Sequence, residues 1–147
     1  MPENDDIPEE APFSGLPTYI KAPLAATPSE LRDMKADIAI VGAPVDIGVT
    51  NRPGARYGPR AIRQAAQIWS PNSYLYHMGL DVYPTQILNV VDFGDANCPP
   101  TSLDQSHDAV RMKVTQALQA GALPLILGGD HSITLPSATA VAQRYGF

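Results

Sequence analysis

The stretch LPLILGGDHS, residues 123–132, decides how this sequence folds. Its first five residues are apolar and predict a buried β-strand, which the two following glycines end. In an open α/β sheet the carboxyl ends of the strands face the crevice where ligands bind. His131 is therefore a candidate metal ligand, since histidine is the commonest protein ligand for a divalent metal and a carboxylate such as Asp130 can orient its ring. Asp130 or Ser132 could also cap the helix that follows, a structural role that is compatible with the functional one.

The rest of the chain repeats this strand-and-helix pattern. Apolar runs at 38–42 and 87–91 predict two more buried strands, the second of them ended by Gly94. Helices are predicted to begin at Gly58–Pro59, to run from Ser102 to Gly121, and to run from Leu135 to Arg144 with Gly146 closing the last one. Strands that alternate with helices predict a parallel sheet with helices on both faces, an α/β fold of three layers, α/β/α.

Periodicity predicts which helix residues face the sheet. In the second helix Ser102 is a good N-cap with Gln105 three residues on, and the apolar positions fall on one face: Val110, Val114, Ala117 and Leu118. In the first helix, which Pro71 is expected to end, the predicted inner face consists of Ile62, Ala65, Ala66 and Trp69.

Residues 1–36 are predicted to form an extended amino-terminal arm, and residues 37–147 the α/β domain. Six prolines break any helix in the arm before it begins: Pro2, Pro8, Pro12, Pro17, Pro23 and Pro28. We expect disorder over about the first ten residues. From Phe13 onward, we expect packing on the body of the protein or on a neighbouring subunit.

Composition narrows the class of protein. The chain has 147 residues, a length that fits one domain, and 44% of them are hydrophobic, which is enough to form a hydrophobic core; the net charge is −5. The acidic balance argues against nucleic acid or an anionic membrane surface as a partner. No apolar run is long enough to cross a bilayer, and no signal peptide is evident, so a cytoplasmic location is expected. The single cysteine, Cys98, excludes an internal disulfide framework.

Two other polar clusters allow a functional and a structural interpretation. Asp92 and Asp95 follow the second strand and either join a metal site or shape a tight turn. Arg52, Arg56 and Arg60 either bind an anion or pin a long loop. A nucleotide site after the first strand is disfavoured, because the G-x-G-x-x-G pattern is absent there.

The remaining titratable side chains are expected to be structural. His77 and His107 have no metal-ligand spacing around them, and His107 falls on the polar side of its helix, where solvation is expected. Cys98 has no obvious base partner in the sequence.

Four motifs in order resemble the ureohydrolase family of arginases and agmatinases: VGAPVDIG (41–48), RPGARYGPRAIR (52–63), NVVDFGD (89–95) and GGDHSITLP (128–136). The arm segment FSGLPTY (13–19) is most similar to the agmatinase and guanidino-acid hydrolase branch. The resemblance implies an arginase-like α/β/α fold that is incomplete at the carboxyl end. It also implies a homo-oligomer in the complete form.

The resemblance further implies hydrolysis of a guanidino compound, agmatine or a guanidino acid, to urea and an amine. In the family two manganese ions, or nickel in some relatives, share a bridging hydroxide that attacks the guanidinium carbon. By position, His131 matches the first metal ligand of the family. Asp130 matches the adjacent motif residue, and the expected role of its carboxylate is to support His131 without binding the metal.

The chain also departs from the family pattern. The remaining family ligands belong to Asp-x-His-x-Asp and Asp-x-Asp motifs, and neither pattern occurs here. We therefore expect the chain to be part of a longer enzyme, inactive by itself, with an unpaired sheet edge after the third strand. The alternative is a non-catalytic assembly or regulatory subunit that docks on a complete ureohydrolase.

Overall fold

The computed structural model describes residues 11, 13–68 and 76–147. Three parallel strands form one sheet in the order β2-β1-β3, with β1 at Ile38–Ala43, β2 at Val90–Asp95 and β3 at Leu123–Gly128. Within these described ranges five α-helices accompany it: α1 (Pro28–Asp33), α2 (Gly58–Ala66), α3 (Pro84–Ile87), α4 (Leu103–Ala120) and α5 (Thr134–Tyr145). The predicted alternation of strands and helices around a parallel sheet is confirmed.

The strands are parallel, so their carboxyl ends meet at one edge. Ile38 of β1 lies opposite both Val90 and Leu123, and at the other end Ala43 lies opposite Gly128. This edge carries Asp95 at the end of β2 and the GGDH turn at the end of β3, the two places where the sequence predicts polar side chains at strand ends.

Helices cover both faces of the sheet. On one face α1, α4 and α5 bury a continuous apolar layer: Leu31, Ala39, Val41, Val91, Phe93 and Ala117 in one cluster, and Ala43, Val110, Val114, Leu118 and Ala140 in the other. Helix α2 lies on the opposite face, where its Arg63 meets Asp92. Asp92 points away from its neighbours Val91 and Phe93 because side chains alternate along a strand. The three-layer α/β/α arrangement follows from these contacts.

The predicted ends of α4 are confirmed. The Ser102 hydroxyl accepts a hydrogen bond from the amide of Gln105 at 3.3 Å, and Gly121 closes the helix with φ of 93°. Gly146 closes α5 in the same left-handed conformation. All four residues of the predicted inner face of α4 are buried: Val110, Val114, Ala117 and Leu118.

The predicted inner face of α2 is wrong. Ile62 is 39% exposed and Ala65 is exposed, whereas Pro59 and Arg63 are the buried residues. The physical reason is that the guanidinium of Arg63 faces inward and pairs with carboxylates of β2. A charged side chain therefore occupies a buried position where periodicity predicts an apolar one. The helix ends at Ala66; Trp69 and Pro71 lie outside the described residues.

The second strand begins later than predicted. Val90 is its first residue, and Ile87 belongs to the short helix α3, in which Pro84 takes a first-turn position that suits proline. Gly94 does not end the strand. Instead, with φ of 72°, it lies in a register shift in which two residues of β2, Phe93 and Gly94, lie opposite one residue of β1, Val41. Asp95 consequently points to the same face as Asp92, where a regular strand would send it to the other.

Strand β3 is not the buried strand that its apolar sequence predicts. Leu123 is 64% and Leu125 42% exposed. In the described part of the chain, β3 pairs only with β1, so its other side is an open edge, as the incomplete fold predicts.

The arm contains a helix that the sequence analysis missed. Pro28 begins α1, and Thr27 caps it by accepting a hydrogen bond from the Glu30 amide at 3.2 Å. Proline at this first position costs no hydrogen bond, so the prediction that prolines prevent helix formation is wrong here. Ile20, Ala25 and Leu31 are buried, as expected for arm residues that pack on the body of the protein, whereas Phe13 itself is 89% exposed.

None of the described helices is long and apolar enough to span a membrane. The boundary between an arm at 1–36 and a domain at 37–147 stays a prediction.

Candidate functional site

The turn after β3 is fixed by a close backbone approach. A side chain on Gly129 would meet the carbonyl oxygen of Ala43 and also the oxygen and nitrogen of Val45, 2.7 and 2.8 Å from its Cβ. The Asp130 amide donates to the Val45 carbonyl at 2.9 Å. Only glycine lets the chain pass this closely to the end of β1. A short 3-10 turn, His131–Ile133, then leads directly into α5.

Asp130 holds this turn together. Its side chain is buried and accepts hydrogen bonds from the Gly48 amide at 2.8 Å, the Ser132 amide at 2.9 Å and the Ser132 hydroxyl at 2.5 Å. Burial raises the pKa of Asp130, but the bonds from Ser132 and Gly48 outweigh it and hold the pKa below its ordinary value. Asp130 thus caps the turn, a role compatible with supporting His131, which stays a prediction, whereas the Ser132 side chain does not cap α5.

His131 is the exposed residue of the turn. Within the described residues no hydrogen bond links its imidazole to Asp130, whose bonds come from Gly48 and Ser132. The ring is exposed at the carboxyl edge of the sheet, and metal binding by His131 stays a prediction. Among the described residues, no group of three or more His, Cys, Asp or Glu side chains could hold a metal ion. The described residues therefore hold no complete metal site, and His131 stays a single candidate ligand.

Asp92 and Asp95 are engaged by Arg63. The guanidinium binds both oxygens of Asp92, with Nε–Oδ2 at 2.8 Å and Nη2–Oδ1 at 2.9 Å, and its Nη1 lies 2.5 Å from Oδ1 of Asp95. Backbone amides of Tyr19 and Gly94 also donate to Asp92. The structural interpretation of these carboxylates is supported. Sequence analysis missed Arg63, although a charged residue amid Ile62, Ala65 and Ala66 was a signal to look for its partner.

The arginine-rich loop is pinned by Asp46. Its carboxylate accepts hydrogen bonds from Arg56 Nε at 2.8 Å and from the amides of Gly54 and Ala55 at 2.8 and 3.1 Å. The bond from Arg56 is the main reason that the pKa of Asp46 lies below its ordinary value. Arg56 thus has the structural role, while Arg52 and Arg60 are exposed and anion binding by them stays a prediction.

His107 is not the solvated residue that its helix position predicts. It is half-buried, and its Nε2 lies 3.0 Å from the hydroxyl oxygen of Ser132, next to the candidate ligand. This contact joins residues 25 positions apart, and no local sequence pattern signals it.

The other two candidates have local structural contacts. The Nδ1 of His77 accepts a hydrogen bond from the Leu80 amide at 3.1 Å. Cys98 is half-buried, its sulfur lies 3.8 Å from the Ser106 carbonyl oxygen, and burial raises the pKa of its thiol to about 11. A thiol with so high a pKa is a poor nucleophile near neutral pH, which favours the structural interpretation.

The model of the Arginase family matches residues 36–147, and the chain belongs to that family. It is similar to the guanidinobutyrase of Pseudomonas aeruginosa, with 37% identity over 134 residues that cover 91% of this chain and 40% of the relative. It is also similar to the mitochondrial agmatinase of Gallus gallus, with 36% identity over 141 residues, 96% of this chain and 40% of the relative.

Solved structures agree on the arginase-like fold. Proclavaminate amidino hydrolase from Streptomyces clavuligerus superposes with a TM-score of 0.76 at 32% identity, over 92% of this chain and 42% of that one. Formiminoglutamase of Trypanosoma cruzi, crystallised with Mn²⁺, gives 0.64 at 30% identity, over 76% and 36%. The chain spans about 40% of the length of the curated relatives it matches.

Proposed function

We propose that this chain forms the amino-terminal part of a metal-dependent hydrolase that converts a guanidino compound to urea and an amine. The observation that carries the proposal is the exposed His131 imidazole, held by the buried Asp130 turn at the carboxyl edge of a parallel sheet. Family membership and relatives named guanidinobutyrase and agmatinase support the guanidino group as the substrate class.

The proposed reaction adds one water across a carbon–nitrogen bond. A new bond forms between the water oxygen and the guanidinium carbon, the bond from that carbon to the substituted nitrogen breaks, and the nitrogen leaves as the amine with a proton. Guanidinium is stabilised by resonance and is a weak electrophile. A bound divalent metal supplies the needed activation, since it lowers the pKa of bound water toward neutrality.

In this proposal the residues of this chain position a metal ligand and do not carry out the whole reaction. His131 presents a ring nitrogen to the metal, and Asp130 fixes the turn through Gly48 and Ser132. Gly129 brings the turn against the end of β1. We propose two manganese ions in the complete enzyme, with nickel as the alternative. We also propose that the complete form is a homo-oligomer in the cytoplasm.

The isolated chain is expected to be inactive. One imidazole does not hold a catalytic metal, and the described residues provide no cluster of three ligands. The activity therefore belongs, in this proposal, to a longer protein that also carries the Asp-rich ligand motifs.

The test begins with the native protein, captured by an antibody raised against this chain. A mass near twice 15.7 kDa, together with manganese- or nickel-dependent urea release from agmatine, 4-guanidinobutyrate or 3-guanidinopropionate, supports the proposal. A protein of double mass that releases no urea from any guanidino compound with either metal contradicts it.

One observation favours a second candidate, a non-catalytic subunit that docks on a complete ureohydrolase. The exposed Leu123 and Leu125 on the open edge of β3 form an apolar surface that a partner could cover. This candidate predicts a native mass of 15.7 kDa and stable co-purification with a complete relative. A native protein of that mass that never co-purifies with such a relative argues against it.

A further inference from the structure

A hydrogen-bonded chain of three side chains runs from helix α4 to the turn that presents His131. His107 Nε2 lies 3.0 Å from Ser132 Oγ, and Ser132 Oγ lies 2.5 Å from Asp130 Oδ1. His107 is on the second turn of α4, so the contact joins that helix to the segment just before α5. The candidate ligand lies between two members of this chain, Asp130 and Ser132.

The chemistry of the three groups determines which atom is the donor in each hydrogen bond. The Asp130 carboxylate is the acceptor, because the amides of Gly48 and Ser132 and the Ser132 hydroxyl all donate to its two oxygens. The single hydroxyl proton of Ser132 is donated to Asp130 Oδ1, and this leaves the Ser132 oxygen as an acceptor toward His107. Nε2 of His107 must therefore carry a proton and donate a hydrogen bond to the Ser132 oxygen.

We propose that His107 is a positioning residue, whose Nε2–H locks Ser132 and thereby holds the Asp130 turn in the conformation that presents His131 to a metal. The inference rests on the proposed function, because it deepens the role of the same site. His107 touches neither substrate nor metal in this proposal. A serine hydroxyl rotates freely, and a second partner restricts it to the orientation that serves Asp130.

The turn is clamped from two sides. Gly48, in the loop after β1, donates to Asp130 Oδ2, and the second oxygen of that carboxylate takes the two bonds from Ser132. A side chain on Gly48 would come within 3.1 Å of Ser132 Cβ and 3.2 Å of Asp130 Oδ1, so the loop already fits closely against the turn. His107 supplies the restraint from the α4 side, where a methyl or phenyl group would supply none.

The first test is the tautomer of His107 in the 147-residue chain, read from long-range ¹H–¹⁵N correlations of the imidazole rings. The chain has three histidines, so the spectrum is simple to assign with single variants. We expect the His107 ring to carry a proton on Nε2, and we expect Ser132→Ala to shift its Nε2 signal. An Nε2 without a proton, or signals that Ser132→Ala does not move, would overturn the proposal.

The second test asks whether His131 responds to changes at His107. We expect His107→Phe to shift the His131 ring signals. We also expect the apparent affinity of His131 for Mn²⁺, read from the broadening of its ring signals in a MnCl₂ titration, to fall about tenfold, the lower end of the affinity loss typical of a supporting partner. His107→Gln, whose amide can donate to Ser132, should restore most of the broadening. His77→Phe is the matched control and should leave His131 unchanged, since His77 lies in the turn with Leu80.

The two proposals fail in different ways. If His107→Phe leaves the His131 signals where they are, the positioning role is wrong, whatever the native enzyme does with guanidino compounds. If those signals move and the tautomer is as expected, the positioning role stands, even where MnCl₂ broadens no ring and the proposed function fails. Circular dichroism checks that each variant is folded, and where His107→Phe is not, the Gln and Ser132→Ala variants decide.

Discussion

Arg63 binds both carboxylate oxygens of Asp92, at 2.8 Å through Nε and at 2.9 Å through Nη2. The two side chains are 9% and 1% exposed. This pair ties α2 to β2 on the face of the sheet opposite α4, and Asp95 joins it through the bulge at Gly94. The carboxyl edge of the sheet is thus braced by an ion pair on one side and by the Asp130 turn on the other.

Replacing Arg63 should destabilise the fold strongly. Arg63→Met leaves the Asp92 carboxylate buried without its cation, and we expect the free energy of unfolding in urea to fall by about 3–5 kcal/mol. Arg111→Met is the control, since Arg111 pairs with Asp108 on the surface, where side chains are 41% and 70% exposed. That change should cost less than about 1 kcal/mol. Equal losses in both variants would show that the buried pair contributes no more to the free energy of unfolding than the surface pair does.

The two adjacent glycines of the GGDH turn should respond differently to alanine. In Gly129→Ala the new methyl meets backbone atoms of Ala43 and Val45, which cannot move aside, and we expect a loss of about 3 kcal/mol or more. In Gly128→Ala it meets Cδ1 of Ile133 at 2.5 Å, the end of a flexible side chain, and we expect about 1 kcal/mol. Urea unfolding of both variants measures the difference. A Gly129→Ala variant as stable as Gly128→Ala would contradict the close approach.

Asp130 should make stability depend on pH in the acidic range. Its folded pKa is lowered, so the unfolded chain binds the proton more readily and the stabilisation is present above about pH 4, the ordinary range of an aspartate. It is lost as the pH falls through the folded pKa. We expect Asp130→Asn to be less stable at pH 7 and to lose less stability on acidification, in urea titrations from pH 7 to pH 3. Parallel curves for the two proteins would exclude this role.

Cys98 should react slowly with thiol reagents in the folded chain. Burial raises the pKa of its thiol to about 11, about two units above that of a free thiol, so the thiolate fraction at pH 8 falls about 100-fold. The single cysteine makes the measurement direct: the rate of reaction with a disulfide reagent at pH 8, with and without denaturing urea. Equal rates in the two conditions would show that the thiol is exposed and unperturbed.

The sequence predicts the parts of the fold that depend on local chemistry. The caps at Ser102 and Gly121, the inner face of α4, and the positions of β1 and β3 follow from periodicity and turn residues, and all are confirmed. The location of His131 after β3 follows in the same way, because a glycine pair after an apolar run ends a strand.

The remaining features depend on long-range contacts that no local pattern reveals. Arg63 is buried because it pairs with Asp92 and Asp95, which lie 29 and 32 residues away in the sequence. His107 lies beside Ser132 because α4 and α5 pack together, which gives a polar helix position a structural partner. The exposure of Leu123 and Leu125 depends on which strand lies at the edge of the sheet, and apolar sequence alone does not decide that.

The central claim is that His131 binds the metal of a guanidino-compound hydrolase, and the most direct measurement is manganese-dependent urea release by the native protein and by its His131→Ala variant. The account predicts that urea release and bound manganese are both lost in His131→Ala, at unchanged circular dichroism, and that both are retained in His77→Ala. Full urea release and full metal content in His131→Ala would contradict it.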